Sequence, residues 1–137
     1  MAGRKRQWDA GLAQLITGSR HWEDRDAIDV VLRQRGADAV IHGDAAGADR
    51  IADELCHEHR YAALPMPAQW ARDGKSAGPR RNREMLNVLL ALRRCGWRAI
   101  VDAFPQQNSR GTYHMIDIAR KAGLEVDNHG YQRRAKP

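Results

Sequence analysis

The sequence predicts an α/β fold, a three-layer αβα sandwich in which a parallel sheet of about five strands lies between helices. Strand-like and helix-like patterns alternate about five times along the 137 residues, as in parallel strands that are joined by right-handed helical crossovers. This length fits one domain with its own apolar core. No segment approaches the roughly 20 consecutive apolar residues of a membrane span, so we expect no membrane insertion.

Five segments carry the strand pattern: residues 12–17, 39–42, 62–66, 98–104 and 124–126. The third is the weakest, because Pro65 and Pro67 close it off. We expect the spatial order 3-2-1-4-5, in which the chain changes direction across the sheet between the first and the fourth strand. Ligands of such sheets bind at that point, outside the carboxyl ends of the strands.

Helices fill the intervals between these strands. Asp24 and Gly36 are suited to the start and the end of the first helix, and Pro79 suits the first turn of the third. A long polar connection, residues 67–78, precedes this third helix. Because connections of that length in a compact domain are usually functional or mobile, we expect an irregular loop there.

The formal net charge of +6 comes from the two ends of the chain. Six basic residues account for it: Arg4, Lys5, Arg6, Arg133, Arg134 and Lys136. We predict a basic, disordered tail over residues 1–10, a single domain over residues 11–128 and a basic C-terminal tail over residues 129–137. Because residues 7–130 hold 17 basic and 17 acidic side chains, we expect no nucleic-acid binding beyond nonspecific contacts of the tails.

The N-terminal segment and the cysteines favour a cytoplasmic protein. Residues 1–8 are basic, but no apolar segment follows them, so we expect no signal peptide. Cys56 and Cys95 each lie in an apolar helical pattern, which is typical of buried free thiols. His57 and His59 lie close to Cys56, yet positions two apart on a helix face different directions. We therefore expect neither a metal site there nor a cofactor.

Three loops that follow predicted strands combine small residues with side chains that bind anions: residues 18–20, 43–49 and 109–112. Small residues let backbone N–H groups approach an anion, and helix N-termini favour negative charge. Arg20 and Arg110 add guanidinium groups, which suit phosphate. Because all three loops lie at carboxyl ends of parallel strands, we expect them to form one site for a phosphorylated ligand.

Two carboxylates flank the second loop, and two functions are open for them. Asp44 and Asp49 could accept hydrogen bonds from ribose hydroxyls or help to hold a divalent ion. Asp49 could equally complement the dipole of the helix that it begins.

Gly74-Lys75-Ser76 resembles the end of a P-loop, but Gln69 stands where that motif needs glycine. We exclude ATP hydrolysis by this route and keep Lys75 as a candidate phosphate ligand.

Four further side chains lie near the predicted ligand edge. His21, His42 and His114 are candidate acids or bases, with a structural role as the alternative. Trp70 is expected to stack on a base or to cover the ligand; the alternative is a small apolar cluster beneath the long connection.

Seven short segments of the sequence together resemble those of a known family. They are Gly18-Ser19-Arg20 with Trp22, HGDAAGAD over residues 42–49, PAQW over 67–70, GKSAGPRRN over 74–82, Met85-Leu86, AFP over 103–105, and Gly111-Thr112. This pattern resembles the YspA-like branch of the SLOG superfamily of Rossmann-like proteins across roughly residues 12–127. The superfamily also includes cytokinin-activating phosphoribohydrolases and the DNA-processing protein DprA. The resemblance implies a nucleotide-derived ligand, such as a nucleoside monophosphate or an ADP-ribose derivative.

Many members of the superfamily are thought to sense such ligands, and some cleave an N-glycosidic bond. The resemblance implies that Arg81 or Arg80 matches an arginine of the hydrolases and that Gly111-Thr112 matches the end of their phosphate loop. The hydrolases carry glutamates two and three residues after that threonine, where this chain has His114 and Met115.

Cleavage of a glycosidic bond needs a carboxylate that stabilises positive charge on the sugar or activates a water molecule. Because methionine does neither, another acidic residue would have to replace the glutamates. The candidates are Asp44, Asp49 and Glu84.

Three functions are therefore open: binding or sensing of a phosphorylated nucleotide-derived ligand, N-glycosidic hydrolysis of a nucleotide, and nucleic-acid binding like that of DprA. Asp44 and Glu84 are the candidate catalytic residues. The candidate ligand-binding residues are Gly18, Ser19, Arg20, Gly43, Asp44, Gly47, Asp49, Trp70, Lys75, Arg81, Asn82, Arg110, Gly111 and Thr112. Leu89 and Leu92 lie either in the core, which we favour, or in a homodimer interface.

Overall fold

The computed structural model describes residues 10–133 and contains a five-stranded, all-parallel sheet. The strands are β1 (Leu12–Gly18), β2 (Ala39–His42), β3 (Ala63–Pro65), β4 (Arg98–Phe104) and β5 (Glu125–Asn128). Their order in space is β3-β2-β1-β4-β5, which confirms the predicted α/β sandwich and its topology. The point at which the connections change direction lies between β1 and β4.

Helices cover both faces of this sheet. They are α1 (Arg25–Arg35), α2 (Ala48–His59), α3 (Trp70–Asp73), α4 (Ala77–Arg94) and α5 (Arg110–Lys121), with a 3₁₀ turn over Gly74–Ser76. The Asp24 carboxylate caps α1 by accepting a hydrogen bond from the Ala27 N–H, and Gly36 ends this helix in a left-handed conformation (φ 55°), as the sequence predicts.

The core is divided between the two faces of the sheet. On one face, Leu15 and Val101 pack against buried side chains of α4 and α5. On the other, Ile16 and Phe104 pack against α1 and α2. Leu89 is fully buried in the first cluster and Leu92 packs against it, so these two side chains belong to the core, as favoured from the sequence.

The predicted irregular loop over residues 67–78 is wrong. The chain forms α3 and the 3₁₀ turn there, and α4 begins at Ala77, two residues before Pro79. The Ser76 hydroxyl donates a hydrogen bond to the Asp73 carbonyl, so local side-chain bonds support the turns. Pro79 is tolerated because an N–H in the first turn of a helix has no intrahelical partner.

Two smaller predictions also need correction. The last strand runs over Glu125–Asn128 rather than 124–126. Cys56 is buried as predicted, but Cys95 is exposed, because it follows the last residue of α4 and caps its C-terminus. Among residues 10–133, no helix is both long enough and apolar enough to cross a lipid bilayer.

A buried carboxylate ties three distant parts of the chain together. Asp102, on β4, is fully buried and accepts hydrogen bonds from Arg35 (2.8 and 3.0 Å), Gln14 (2.9 Å) and His129 (2.7 Å). Burial alone would raise the pKa of Asp102. The hydrogen bonds from His129, Arg35 and Gln14 outweigh burial, so its pKa lies below the ordinary value.

The same cluster contains a set of possible metal ligands, Asp102, Asp127 and His129, whose ligand atoms lie within 4.8 Å of one another. The Arg35 guanidinium bonds to both carboxylates of this set and so supplies the positive charge that a cation would bring. The arrangement is that of a structural ion-pair cluster.

We predict that Arg35→Ala costs far more stability than the same change at an exposed ion pair. Removing Arg35 leaves Asp102 without its main cation, and breaking a buried pair typically costs about 3–5 kcal/mol. Arg98 pairs with Glu125 at 2.8 Å, and the two side chains are 43% and 54% exposed; Arg98→Ala should cost below about 1 kcal/mol. Urea unfolding of both variants provides the measurement. Equal losses would show that Asp102 does not depend on Arg35.

Candidate ligand-binding site

A cavity of about 620 Å³ lies at the carboxyl ends of β1 and β4, where the topology predicts a ligand. Nucleotide-sized ligands fit cavities of this size, since small-molecule sites are roughly 300–1,000 Å³. The cavity brings together these predicted binding residues: Gly18, Ser19, Arg20, Asp49, Arg81, Asn82, Arg110, Gly111 and Thr112. The remaining lining residues are Thr17, His21, Ala45, Met85, Gln106, Gln107, Asn108 and Ser109.

The first wall is the turn after β1, which packs directly against the start of α2. The Ser19 carbonyl accepts hydrogen bonds from Trp22 N–H (3.1 Å) and Ala48 N–H (3.0 Å). Gly47 has φ 77°, and a Cβ at this position would lie 2.3 Å from the Ser19 oxygen. Only glycine fits such a contact and such a backbone conformation. Gly47 therefore acts by joining the two loops.

The Ser19 hydroxyl connects this wall to the loop that follows β4. Its oxygen donates to Gln106 Oε1 (2.8 Å) and accepts from His21 N–H (3.0 Å). The Ser109 hydroxyl accepts from Gln106 N–H (2.9 Å), which folds the loop back on itself. Residues 106–108 line the cavity, although glutamine and asparagine in a polar loop carry no distinct signal of a binding site. Their position directly after β4 and opposite Ser19 is the feature from which a place in the cavity lining could have been predicted.

The N-terminus of α5 forms the second wall. Arg110, Gly111 and Thr112 are its first three residues, and the first N–H groups of a helix lack intrahelical partners. A Cβ at Gly111 would meet no atom within 4 Å, so open space adjoins the backbone here. The Arg110 N–H donates to the Asn108 carbonyl (3.0 Å), so the N–H groups of Gly111 and Thr112, together with the helix dipole, favour an anion at this position.

Two consecutive residues of α4 complete the cavity. Arg81 donates a hydrogen bond to the Gly43 carbonyl, and its guanidinium lies where a Cβ of Gly43 would stand. Buried Asn82 donates to the Gly111 carbonyl (3.1 Å) and to His114 Nδ1 (3.0 Å). Gly43 therefore makes room for Arg81, and Asn82 fixes the start of α5 against α4.

Asp49 is a buried carboxylate in the lining of the cavity. It is 5% exposed. Its Oδ2 accepts hydrogen bonds from Gly43 N–H (3.1 Å) and Ala45 N–H (3.3 Å), whereas Oδ1 has no partner among the described residues. Burial raises the pKa of Asp49 to about 6, although His42, Arg81 and the two backbone N–H groups act in the opposite direction.

The other predicted site residues lie outside the lining of the cavity. Asp44 is exposed, with φ 53°, and Glu84 and Lys75 are exposed as well. Trp70 is 55% exposed and lies against Gly78 at the start of α4. Asp44 and Glu84, the predicted catalytic residues, are thus not brought together with the residues that line the cavity.

The three candidate histidines have different surroundings. His21 lines the cavity. His42 is fully buried, accepts from Asp44 N–H at Nδ1 and contacts Asp53 through Nε2 (2.8 Å), so it supports the loop that contains Asp44. His114 accepts from Asn82, and burial lowers its pKa, which keeps the ring neutral near pH 7.

Comparison with known proteins shows one family match and one close relative. Residues 15–72 match the model of the family described as YspA, cpYpsA-related SLOG. The gene 61 protein of Mycobacterium phage D29 is 38% identical over 126 residues, which cover 85% of this chain and 94% of that protein.

Among solved structures, DNA processing protein A (DprA) from Streptococcus pneumoniae is similar, with a TM-score of 0.66 and 15% sequence identity. The match covers 87% of this chain and 50% of DprA, so the chain spans about half the length of that protein. At this identity the likeness concerns the fold alone.

We predict that Asp49→Asn stabilises the protein near pH 7.5 but not near pH 4. The folded-state pKa is raised to about 6, so the folded protein holds a proton that the unfolded chain has released between pH 4 and 6. The free energy of unfolding of the wild-type protein therefore falls as the pH rises through this interval, by about 2–3 kcal/mol at 1.36 kcal/mol per pKa unit. Asparagine keeps an oxygen for both N–H groups and removes the charge.

Urea unfolding at both pH values measures this difference. Asp44→Asn, which changes an exposed carboxylate on the same loop, is the matched control and should alter stability little at either pH. A variant Asp49→Asn that is destabilised equally at both pH values would contradict the expected cost of the buried charge.

Proposed function

Because the chain belongs to the YspA and cpYpsA-related SLOG family, we propose that it binds a small phosphorylated, nucleotide-derived ligand in the cavity between β1, β4 and α5. The observation that carries this proposal is the charge of the lining. Among the described residues, the cavity lining contains three arginines and one carboxylate, next to the N-terminus of α5.

The phosphate is assigned to the side of the cavity formed by α5. Gly111 and Thr112 offer backbone N–H groups there, and helix N-termini with adjacent glycine bind phosphate readily. Arg20 and Arg110 are exposed at the rim, where guanidinium groups bind phosphate oxygens in pairs. The Ser19 hydroxyl and Gln106 on the opposite wall are suited to the sugar or the base.

The partners and the location of the protein remain further proposals. We propose a cytoplasmic protein with free thiols, consistent with the unpaired Cys56 and Cys95. A homodimer would have to use surfaces other than Leu89, which is buried within the chain. DprA-like nucleic-acid binding gains no support from a likeness of fold.

The proposal predicts phosphate-dependent binding that Arg20→Ala weakens. We expect AMP or another nucleoside monophosphate to raise the melting temperature, and the matching nucleoside to bind far less tightly. Loss of one charged hydrogen bond should lower the affinity for the monophosphate about tenfold or more. Calorimetric titration of a panel of four monophosphates and their nucleosides provides the measurement.

Arg94→Ala is the matched control, because Arg94 is exposed at the far end of α4 and should leave binding unchanged. Equal affinity for nucleosides and monophosphates, or equal losses in the two variants, would argue against a phosphate site at this cavity.

The environment of Asp49 favours a second candidate function, hydrolysis of an N-glycosidic bond. Such a reaction needs a carboxylate beside the sugar, either to stabilise positive charge or to activate water. Asp49 lines the cavity and has a free Oδ1 and a pKa near 6. Among the three acidic candidates from the sequence, it is therefore better situated than Asp44 and Glu84.

This second function predicts release of free base from a bound monophosphate, and loss of that release in Asp49→Asn. We expect the variant to keep binding the ligand, because its backbone hydrogen bonds are retained. Asp44→Asn and Glu84→Gln are the controls and should release base at the wild-type rate. Chromatography of the incubated ligand measures the product. An intact ligand after long incubation with wild-type protein would exclude hydrolysis and leave the binding function.

A further inference from the structure

The longest uncharged segment of the chain, residues 61–71, lies on the surface. It contains no charged side chain, although 29% of the sequence is charged. Every residue of this segment is half-buried or exposed; Leu64 is 46% and Trp70 is 55% exposed. A run of similar length, residues 10–19, is instead mostly buried, as part of β1. Depletion of charge together with exposed aromatic and aliphatic side chains is typical of the centre of a protein–protein interface.

Residues 61–71, which we call the β3 edge, contain the edge strand β3. In the described part of the chain, β3 has β2 on one side and no strand on the other. The Ala62 carbonyl and the Met66 N–H each make a hydrogen bond of 2.8 Å to β2. Because the pairing direction alternates along a strand, Ala63 turns its N–H and carbonyl towards the open side. Such groups are available to a strand of another chain.

Between residues 61 and 67, only Ala63 can pair outwards as donor and acceptor together. Pro65 and Pro67 have no N–H, and the Tyr61 N–H already donates to the Cys56 carbonyl (2.8 Å). In an antiparallel ladder, two opposite residues exchange both of their hydrogen bonds. A two-fold axis that brings Ala63 of two copies together produces this pair, and the prolines on one side fix its register.

The same symmetry places large side chains opposite smaller ones. With Ala63 opposite its own copy, Leu64 lies opposite Ala62, and Tyr61 lies opposite Pro65. Directly opposite residues of an antiparallel pair share a face and contact each other. No like charges meet within this segment, although each copy carries a formal net charge of +6. The β3 edge is therefore complementary to itself in shape and in charge.

The other edge of the sheet is unsuited to such a contact. Its strand, β5, carries Glu125 and Asp127, both of which are exposed. A second copy would bring further carboxylates beside them, and charged side chains on an edge strand discourage pairing between chains. This protection is present on β5 and absent from β3.

We propose that two copies of this chain associate through the β3 edge, by an antiparallel pair of Ala63 residues that joins their sheets into one continuous sheet. Leu64 and the neighbouring apolar side chains of each copy cover those of the other. None of residues 61–71 lines the ligand cavity, so the contact lies apart from that site. The inference does not depend on the proposed ligand.

Sedimentation of the full chain over a range of concentrations tests this contact. We expect wild-type protein to form a dimer as its concentration rises. Leu64→Lys should raise the dissociation constant of the dimer about tenfold or more, because the two-fold symmetry places the new charge in the interface twice. Ala63→Pro should act in the same direction, since proline removes the outward N–H, while the neighbours of Ala63 make the bonds to β2.

Val30→Lys is the matched control. Val30 is 51% exposed and lies on α1, outside the β3 edge, so the same change of side chain should leave the dissociation constant unchanged. The melting temperature of each variant in dilute solution shows whether it is folded. If Ala63→Pro does not fold, hydrogen exchange of wild-type protein replaces it: protection of the Ala63 amide should rise with protein concentration.

Two results would overturn the proposal. A wild-type chain that stays monomeric at the highest concentration reached does not pair with itself, and the β3 edge would then be open to a strand of a different protein. A dimer that is as stable in folded Leu64→Lys as in Val30→Lys has its interface elsewhere. A dimer that Leu64→Lys weakens and Val30→Lys leaves intact supports the contact at the β3 edge.

Discussion

The contact between Gly47 and the Ser19 carbonyl determines the geometry of the cavity at the carboxyl ends of β1 and β4. It joins the turn after β1 to the start of α2, with the Ala48 N–H bonded to the same oxygen. Ser19, held in this way, reaches Gln106 across the cavity, and the loop after β4 leads into α5. A side chain at Gly47 would push the turn after β1 away from the start of α2. Ser19 would then be displaced from Gln106, and the two walls of the cavity would no longer be held together.

Asp49 lines the cavity and lowers the stability of the fold when it is charged. A carboxylate with a free oxygen in a nearly dry position costs free energy, and more hydrogen-bond donors around it would reduce that cost. The fold supplies donors to Oδ2 only. Such under-satisfied groups are uncommon in structural positions and more frequent where a ligand completes the set of partners.

The sequence allowed the order of the strands, the two helix caps at Asp24 and Gly36 and much of the cavity lining to be predicted, because these features depend on local patterns. The connection before α4 was missed, since its short helical turns rest on bonds such as Ser76 to Asp73 rather than on apolar periodicity. The hydrogen-bonded cluster around Asp102 could not be predicted, because Arg35 and His129 are distant from Asp102 in the sequence and contact it only in the folded chain. The burial and the raised pKa of Asp49 could not be predicted for the same reason, because burial is a property of the tertiary structure.

The central position of β1 has a consequence for how the protein is made. Its neighbours include β4, and Gln14 bonds to Asp102, 88 residues further along the chain. Closing so long a loop is slow compared with local helix formation. During synthesis on the ribosome, more than 30 residues must therefore be added after β3 before β4 is available. Until then one side of β1 has no partner strand. The cavity can form only after α5 has been synthesised, and a chain arrested before α5 would lack the helix N-terminus that lines it.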